Sequence, residues 1–196
     1  ISYGIVPKHL GKEFLEIYGD IREDRLYAKR HPEISGNDIK NSTYKLALNG
    51  ATGNYQNEYS WLYDPEAVMR IRINGQLLLL MLTEMLIEKG AKIKQLNTDG
   101  VLYIIPKDVD YKAVLAEWEE KTKLTLETEE YEAFYQFAIN DYLAINKGYK
   151  ETHDQKLLKY KGLFIPKVSL GKGMQPTIIP KALNAYFTDG IPPEET

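Results

Sequence analysis

Apolar residues recur at steps of three and four in the first part of the chain, which is the spacing of one face of an α-helix. Phe14 and Ile21 belong to this pattern, which predicts a helix over residues 10–30 between two prolines. A second helix is predicted from Ser42 to Gly50, with Asn41 or Ser42 as its N-cap. Because a short loop joins the two helices, we expect an antiparallel pair.

A third and longer helix is predicted to start at Asp64, which suits the N-cap, followed by Pro65 at the first helical position. It should run to about Lys89 and stop at Gly90. The run from Leu77 to Leu82 is apolar on every side of such a helix. This composition predicts that the helix is buried in the core.

Two β-rich runs, residues 92–96 and 101–105, flank an Asp-Gly pair at Asp99, which is a strong signal for a β-hairpin. Further elements are predicted as a helix at 110–121, strands at 124–127, 131–138, 142–145 and 159–165, and a last helix at 180–188. Mixed helices and strands indicate an α/β or an α+β fold with an antiparallel sheet, and of these two classes we predict α+β.

The composition is that of an ordinary globular protein, with 43% apolar and 27% charged residues among 196. The chain has no cysteine, which excludes disulfides, thiolate catalysis and zinc–sulfur sites. No apolar run approaches the roughly 20 residues that a membrane span requires. The net charge of −3 is mild evidence against nucleic-acid binding, but lysines concentrate between residues 147 and 181.

Two cationic patches lie on the first two predicted helices. Arg25 and Lys29 are four residues apart, so they share a helix face and can grip a triphosphate. The plainer alternative is a solvated face paired with neighbouring acids. Lys45 and Asn49 are also one turn apart, before a small-residue stretch (50–53) that allows close approach of a ligand or backbone. The alternative there is an ordinary glycine C-cap.

Two further patches offer a carboxylate and a basic strand. Asp99, at the tip of the hairpin, can serve as a hard oxygen ligand for a divalent cation, although Asp-Gly is also simply a good turn. Lys159, Tyr160 and Lys161 can track a phosphate backbone, or they can be the lysine-protected edge of an exposed strand.

In this order, the four patches resemble the fingers and palm of B-family DNA polymerases, most closely bacteriophage members. Residues 44–53 are similar to the fingers motif Lys-x-x-x-Asn-Ser-x-Tyr-Gly. Residues 95–101 are similar to the palm motif Asp-Thr-Asp-Ser on a hairpin, and residues 159–163 to the primer-binding motif Lys-Arg-Tyr-Ala-Gly. The resemblance covers roughly residues 7–194.

The resemblance implies a role for each residue. The triphosphate of the incoming nucleotide would be neutralised by three cations, Arg25, Lys29 and Lys45. Asn49 would shape the pocket of the new base pair, and Asp99 would ligate catalytic Mg²⁺ ions, with Asn97 as a weak ligand. The primer strand would be held by Lys159, Tyr160 and Lys161. The implied partners are a primer–template, a deoxynucleoside triphosphate and the remaining domains of the parent chain, with no membrane.

The implied regions are a fingers-like helix pair at residues 1–62, a palm-like region at 63–166 and the start of a thumb-like region at 167–196. The chain departs from the family at Asn97, where an Asp is usual, and at Gly50 and Thr52, where Ser and Tyr are usual. The first palm motif, with its other metal-binding Asp, is not found.

Because that motif is missing and the chain begins with Ile1, we expect a fragment of a polymerase that is inactive alone. It would act in the cytoplasm of a bacterium or a phage-infected cell. The alternative from another class is a non-catalytic nucleic-acid-binding module with a degenerate polymerase-like palm. A third reading, a small globular protein without phosphate chemistry, predicts that the four residues on the first two helices scatter.

Overall fold

The computed structural model describes residues 1–166 and 176–195. Six α-helices and two small antiparallel sheets make up this described part, so the predicted α+β class is confirmed. The chain divides into two compact units, Ile1–Thr125 and Leu126–Thr196. The predicted functional regions, with boundaries after residues 62 and 166, stay predictions, and residues 167–175 and 196 lie outside the described residues.

The first unit contains four helices and one hairpin. Its elements are α1 (Gly11–Arg30), α2 (Asn37–Asn54), α3 (Pro65–Glu88), β1 (Lys92–Leu96), β2 (Val101–Ile104) and α4 (Tyr111–Thr122). The predicted α1, α3, α4 and hairpin are confirmed to within one or two residues. An apolar cluster of Tyr55, Leu62 and Val68 anchors the base of the helix pair on the start of α3.

Helix α2 is longer than predicted at both ends, so the predicted span Ser42–Gly50 and the cap at Asn41 or Ser42 are wrong. The helix begins after Gly36, whose φ of 86° is the left-handed conformation that glycine adopts freely. The Asn37 side chain then donates to the backbone oxygen of His31, 2.8 Å away, and fixes the turn. Gly50 does not end the helix, because an isolated glycine costs a helix only about 1 kcal/mol.

Helix α3 begins as its sequence predicts, since Asp64 Oδ1 accepts a hydrogen bond of 2.9 Å from the backbone N–H of Ala67. The expectation that its middle is buried all round is wrong. Leu77 and Leu80 are 58% and 47% exposed, whereas Leu86 is fully buried. Helix α4 covers one side of α3, where Trp118 Nε1 donates to the Leu78 backbone oxygen at 2.9 Å. Apolar composition alone cannot tell how many neighbours a helix has.

The second unit is a three-stranded antiparallel sheet packed on a helix. Its regular elements are β3 (Tyr131–Ala138), β4 (Asp141–Asn146), α5 (Tyr149–Thr152), β5 (Leu158–Lys161) and α6 (Ile178–Asp189). The strand order is β3-β4-β5, so neighbours in sequence are neighbours in the sheet. The core is formed by Leu143, Ile145 and Phe164, with Leu183 and Phe187 of α6 packed against it.

Two predicted strands are corrected in this region. Residues 124–127 have no regular strand structure, because Lys123 ends α4 in the left-handed conformation and the sheet of the second unit begins only at Tyr131. The strand predicted at 159–165 ends at Lys161, where Gly162 takes a φ of +59° and starts a 3₁₀ turn through Phe164. The predicted strands at 131–138 and 142–145 and the last helix are confirmed. Within the described residues, none of the helices has the length and hydropathy of a membrane span.

Candidate functional site

Helices α1 and α2 form the antiparallel pair that the sequence predicts. Two contacts fix their register: the Tyr18 hydroxyl donates to the Leu48 backbone oxygen at 2.5 Å, and Lys40 Nζ lies 3.6 Å from Asp24 Oδ2. Because Tyr18 precedes Asp24 while Leu48 follows Lys40, the two helices run in opposite directions. Each helix of the pair has one buried apolar side chain, which is Ala28 on α1 and Leu48 on α2.

By helical geometry the four predicted nucleotide-binding residues project to the same side of this pair, while the register fixed by Tyr18 and Leu48 leaves Lys29 and Asn49 about 18 Å apart along its axis. Successive residues of a helix are rotated by about 100° around its axis. Viewed along α2, Lys45 and Asn49 are therefore rotated to one side of the buried Leu48, and Lys40 is rotated to the other side. Viewed along α1, Arg25 and Lys29 are rotated to one side of the buried Ala28, and Asp24 is rotated to the other side. The Asp24–Lys40 ion pair therefore marks one flank, and the predicted residues mark the opposite flank. We call this second side the cationic flank, formed by Arg22, Arg25, Lys29, Lys45 and Asn49.

Accessibility differs among these side chains. Lys29, Lys45 and Asn49 are exposed, while Arg25 is half-buried with its Nε atom enclosed and without a hydrogen-bond partner among the described residues. The inner part of the Arg25 side chain is thus shielded from solvent. A cation whose stem is fixed loses less entropy on binding an anion than a freely rotating one.

Arg22 is the residue of the flank that sequence reasoning missed. Its guanidinium donates to Glu23 Oε1 at 2.7 Å, and both side chains are exposed. Arg22, Arg25 and Lys29 follow one another at steps of three and four, which is the spacing of one helix face. The combination of steps of three and four residues was the signal that could have revealed Arg22 in the sequence. Pairs at a step of four alone do not include this residue.

The small residues that follow Asn49 do not form a close contact. A Cβ atom built on Gly50 or Gly53 would meet no heavy atom within 4 Å. Both glycines lie within α2 and are exposed. The predicted close approach of another backbone is therefore not present among the described residues, and the space beside these glycines is open.

Asp99 occupies the tip of the hairpin, in the same unit as the helix pair. The turn is closed by the Asn97 N–H, which donates to the Gly100 backbone oxygen at 2.8 Å. Asn97 Oδ1 accepts from the Thr98 N–H at 2.7 Å, so this side chain serves the turn. The Asp99 side chain makes no turn contact of this kind and is exposed.

The donors at this tip suit Mg²⁺ in kind, since Mg²⁺ prefers carboxylate and amide oxygens. They are too few for a pair of metal ions, which needs carboxylates from at least two places. No group of three or more His, Cys, Asp or Glu side chains with metal-binding geometry occurs in the described part of the chain. Of the two predicted ligands, Asp99 is exposed, whereas the side-chain oxygen of Asn97 is already engaged by the Thr98 N–H.

The predicted primer-binding residues belong to β5 in the second unit, and the strand sends them to two faces. Lys159 and Lys161 lie on one face, because side chains alternate along a strand. Lys159 Nζ pairs with Glu129, and Lys161 Nζ lies 5.7 Å above the centre of the Tyr142 ring. Tyr160 lies on the other face, packed against the core, and burial raises the pKa of its hydroxyl.

The comparisons with known proteins add no family assignment. No protein-family model matches the chain, and no curated protein is significantly similar to it. The functional interpretation therefore rests on the motifs, on the shared flank of α1 and α2, and on the exposed carboxylate at the hairpin tip.

Proposed function

We propose that this chain is the fingers and C-terminal palm portion of a B-family DNA polymerase. The observation that carries the proposal is the cationic flank, where Arg25, Lys29, Lys45 and Asn49 share one side of the α1–α2 pair. Scattered positions would have favoured a globular protein without phosphate chemistry. Cationic side chains on one flank suit the negative charge of a triphosphate, and Arg25 and Lys45, about 6 Å apart along the axis, would make the central contacts.

In the proposed reaction the 3′-hydroxyl of a primer attacks the α-phosphate of a deoxynucleoside triphosphate in line, and pyrophosphate leaves. Mg²⁺, when bound, would stabilise the charge that develops on the phosphate oxygens. The part played by this chain is to neutralise and orient the triphosphate with Arg25, Lys29 and Lys45. Asn49 follows Lys45 by one helical turn and would face the nascent base pair, while Asp99 would supply a metal-binding carboxylate.

The chain alone is proposed not to incorporate nucleotides, because Asp99 has no second carboxylate within a metal-binding group of the described residues. Activity would require a segment that supplies one. Primer extension with Mg²⁺ by this chain alone, abolished by Asp99→Ala, would contradict this point. Primer extension that appears only when such a segment is joined to the chain would support the proposal that the chain alone is inactive. The proposed setting is replication in the cytoplasm of an infected bacterium.

Nucleotide binding tests the flank directly. Isothermal titration with a deoxynucleoside triphosphate in Mg²⁺ should show binding that Lys45→Ala weakens by about tenfold, the effect of losing one charge-assisted hydrogen bond. Lys12→Ala is the matched control, because it removes an exposed lysine from the start of α1, outside the cationic flank. Equal affinities of the two variants would exclude the flank as a triphosphate site.

The second candidate is a non-catalytic nucleic-acid-binding module, and one observation favours it. The amide oxygen of Asn97 is engaged by the Thr98 N–H in place of a second aspartate. This candidate predicts strand binding without nucleotide binding. A chain that binds DNA while its affinity for a deoxynucleoside triphosphate is unaffected by Lys45→Ala would support it.

A further inference from the structure

Helices α1 and α2 meet along a row of side chains that recur at alternating steps of four and three residues, the spacing of two helices packed as a coiled coil. We call this row the seam. It consists of Phe14, Tyr18, Ile21, Arg25 and Ala28 on α1, and of Asn37, Asn41, Tyr44, Leu48 and Ala51 on α2. Every side chain of the seam is buried or half-buried. Arg25 is the charged residue among these positions, so its surroundings in the seam decide how its guanidinium is held.

Arg25 and Asn41 lie opposite one another in the seam. The Tyr18 hydroxyl donates to the Leu48 backbone oxygen at 2.5 Å, so these two residues are level along the pair. Arg25 follows Tyr18 by seven residues, and Asn41 precedes Leu48 by seven. Seven residues make two helical turns, or about 10 Å, and return the chain to nearly the same helix face. Because the helices are antiparallel, Arg25 and Asn41 therefore share one layer of the seam.

One polar atom in each of these two side chains is enclosed and has no hydrogen-bond partner among the described residues, Nε of Arg25 and Oδ1 of Asn41. Native proteins leave few enclosed polar atoms unpaired. The two atoms are complementary, since Nε–H is a donor and an amide oxygen is an acceptor. The helices are in close contact at this layer, where Lys40 Nζ lies 3.6 Å from Asp24 Oδ2. The seam thus holds an unused donor and an unused acceptor at the same level.

We propose that Asn41 is a positioning residue for Arg25: its amide oxygen accepts a hydrogen bond from Arg25 Nε when the terminal nitrogens of the guanidinium hold a phosphate of the deoxynucleoside triphosphate. This inference rests on the proposed function and adds Asn41 to it. A guanidinium has five N–H donors in one plane, and Nε carries one of them. Its pairing with Asn41 leaves the terminal donors to the ligand and fixes the plane in which they lie.

A neutral amide suits this role better than a carboxylate would. A carboxylate at position 41 would offset the positive charge of Arg25 and repel a triphosphate. The pair shows that alternative one residue earlier in each helix, where the carboxylate of Asp24 faces Lys40. Because an amide carries no net charge, Arg25 keeps its attraction for phosphate while its orientation is fixed.

The alternative role for Asn41 is purely structural, as a polar residue that sets the register of two packed helices. The change Asn41→Leu separates the two roles, because leucine has a similar size and keeps the seam filled but cannot accept a hydrogen bond. A positioning role predicts weaker nucleotide binding in a chain that is at least as stable as the wild type. It also predicts that the loss of affinity requires the Nε–H donor of Arg25.

The test is isothermal titration of the full 196-residue chain with deoxyadenosine triphosphate and with inorganic tripolyphosphate, each in Mg²⁺. Asn41→Leu should weaken the binding of both by about fivefold, the effect of losing one hydrogen bond. Arg25→Lys keeps the charge but has no Nε–H donor. In that background the further change Asn41→Leu should alter the affinity by less than about twofold, because the two residues no longer act together.

Stability and a matched variant provide the controls. The urea midpoint of Asn41→Leu should not be lower than that of the wild type. Thr43→Leu makes a similar polar-to-leucine change at an exposed position of α2, two residues from Asn41 and therefore on the side away from the seam. This variant should bind both probes with wild-type affinity.

Three outcomes would overturn the inference. These are wild-type affinity in Asn41→Leu, an equal loss of affinity from this change with and without Arg25→Lys, and a loss of affinity that comes with a lower urea midpoint. The titration of Lys45→Ala distinguishes this failure from failure of the proposed function. Nucleotide binding that depends on Lys45 but not on Asn41 would remove the inference alone, whereas a wild-type chain that binds neither probe would remove both.

Discussion

Gly162 lies against Asp141 so closely that a Cβ atom built on the glycine would be 1.7 Å from Asp141 Oδ1 and 2.5 Å from the Asn140 backbone oxygen. The same Asp141 oxygen accepts a hydrogen bond of 3.0 Å from the Leu163 N–H. This contact ends β5 directly after Lys161. The glycine is therefore required by space as well as by its positive φ.

Gly162→Ala is predicted to lower the free energy of unfolding of the second unit by more than the roughly 1–2 kcal/mol that a left-handed conformation costs a non-glycine residue. Gly190→Ala is the matched control, because Gly190 has a φ of +72° but no heavy atom within 4 Å of a built Cβ. Urea denaturation of both variants separates the clash from the conformational strain. Equal losses would show that the Asp141 contact adapts at no cost.

The two tyrosines near the base of the helix pair are predicted to respond oppositely to loss of the hydroxyl. Tyr55 is buried and its hydroxyl has no hydrogen-bond partner among the described residues. Tyr55→Phe should leave the free energy of unfolding unchanged or raise it by up to about 1 kcal/mol, because an unsatisfied buried group is removed. Tyr18→Phe should lower it by about 1 kcal/mol, since the bond to the Leu48 oxygen is lost. Thermal or urea unfolding measures both.

Burial, reinforced by the charges of Tyr18 and Asp64, raises the pKa of Tyr55 from 10.0 to about 12. The folded state therefore favours the protonated hydroxyl. The contribution of the protonated Tyr55 hydroxyl to the free energy of unfolding should be complete below pH 10. This contribution should decline as the pH rises from 10 towards 12. Tyr55→Phe should remove this part of the alkaline slope, which unfolding curves at several pH values would reveal.

The N-cap residue of α3, Asp64, is predicted to make a contribution to the folding stability that is lost in acid. Hydrogen bonds from the N–H groups of Ala67 and Lys8 lower the pKa of Asp64 below its ordinary value of 3.8. The stabilisation is present above that value and is lost as the pH falls through the lower pKa of the folded state. Asp64→Ala should cost about 1 kcal/mol at neutral pH.

Asp64→Asn provides the control for that contribution. It keeps an acceptor for the helix N-terminus but cannot titrate, so it should retain most of the stability at neutral pH. The slope of stability against pH below 3.8 should become shallower in this variant. An unchanged slope would mean that other carboxylates account for the acid sensitivity.

Two leucines of α3 are predicted to differ in their tolerance to substitution. Leu77 is 58% exposed, so Leu77→Gln should change the free energy of unfolding by less than about 0.5 kcal/mol. Leu86 is fully buried, and Leu86→Ala should cost about 2–5 kcal/mol through lost burial and the cavity left behind. A comparable loss in Leu77→Gln would show that the exposed side of α3 is covered in solution.

Arg22 is predicted to contribute to nucleotide binding through its place on the cationic flank. Arg22→Ala should weaken the binding of a deoxynucleoside triphosphate by a few fold, since an exposed ion contributes up to about 1 kcal/mol. Lys12→Ala, near the start of α1, removes the same charge from an exposed position on the same helix and should have no effect. Isothermal titration in Mg²⁺ compares the two variants.

Local signals in the sequence predicted much of the architecture, because they act within a few residues. Asp64 before Pro65 gave the start of α3, and the Asp-Gly pair at Asp99 gave the hairpin. The length of α2 was missed, since Gly36 starts the helix without a side-chain cap and Gly50 is tolerated inside it. Such choices depend on packing against another helix, which single-sequence patterns do not contain.

The candidate site shows the same limit. Spacing along one helix placed Arg25 with Lys29, and Lys45 with Asn49, but which flank each pair occupies depends on the register set by Tyr18 and Leu48. The role of Glu129 as the partner of Lys159 joins residues thirty positions apart. No local pattern predicts such a contact, because it depends on the β3-β4-β5 sheet, which brings the segment before β3 near β5.

The order of the strands has a kinetic consequence. Hairpin β1-β2, sheet β3-β4-β5 and the helix pair are each built from consecutive segments, so each closes only a short loop as it forms. Closing a short loop costs little chain entropy, and proteins dominated by such local pairings fold rapidly. The α1–α2 pair and the β1-β2 hairpin can thus assemble while later residues are still being synthesised, before the lysine-rich segment at residues 147–181 leaves the ribosome.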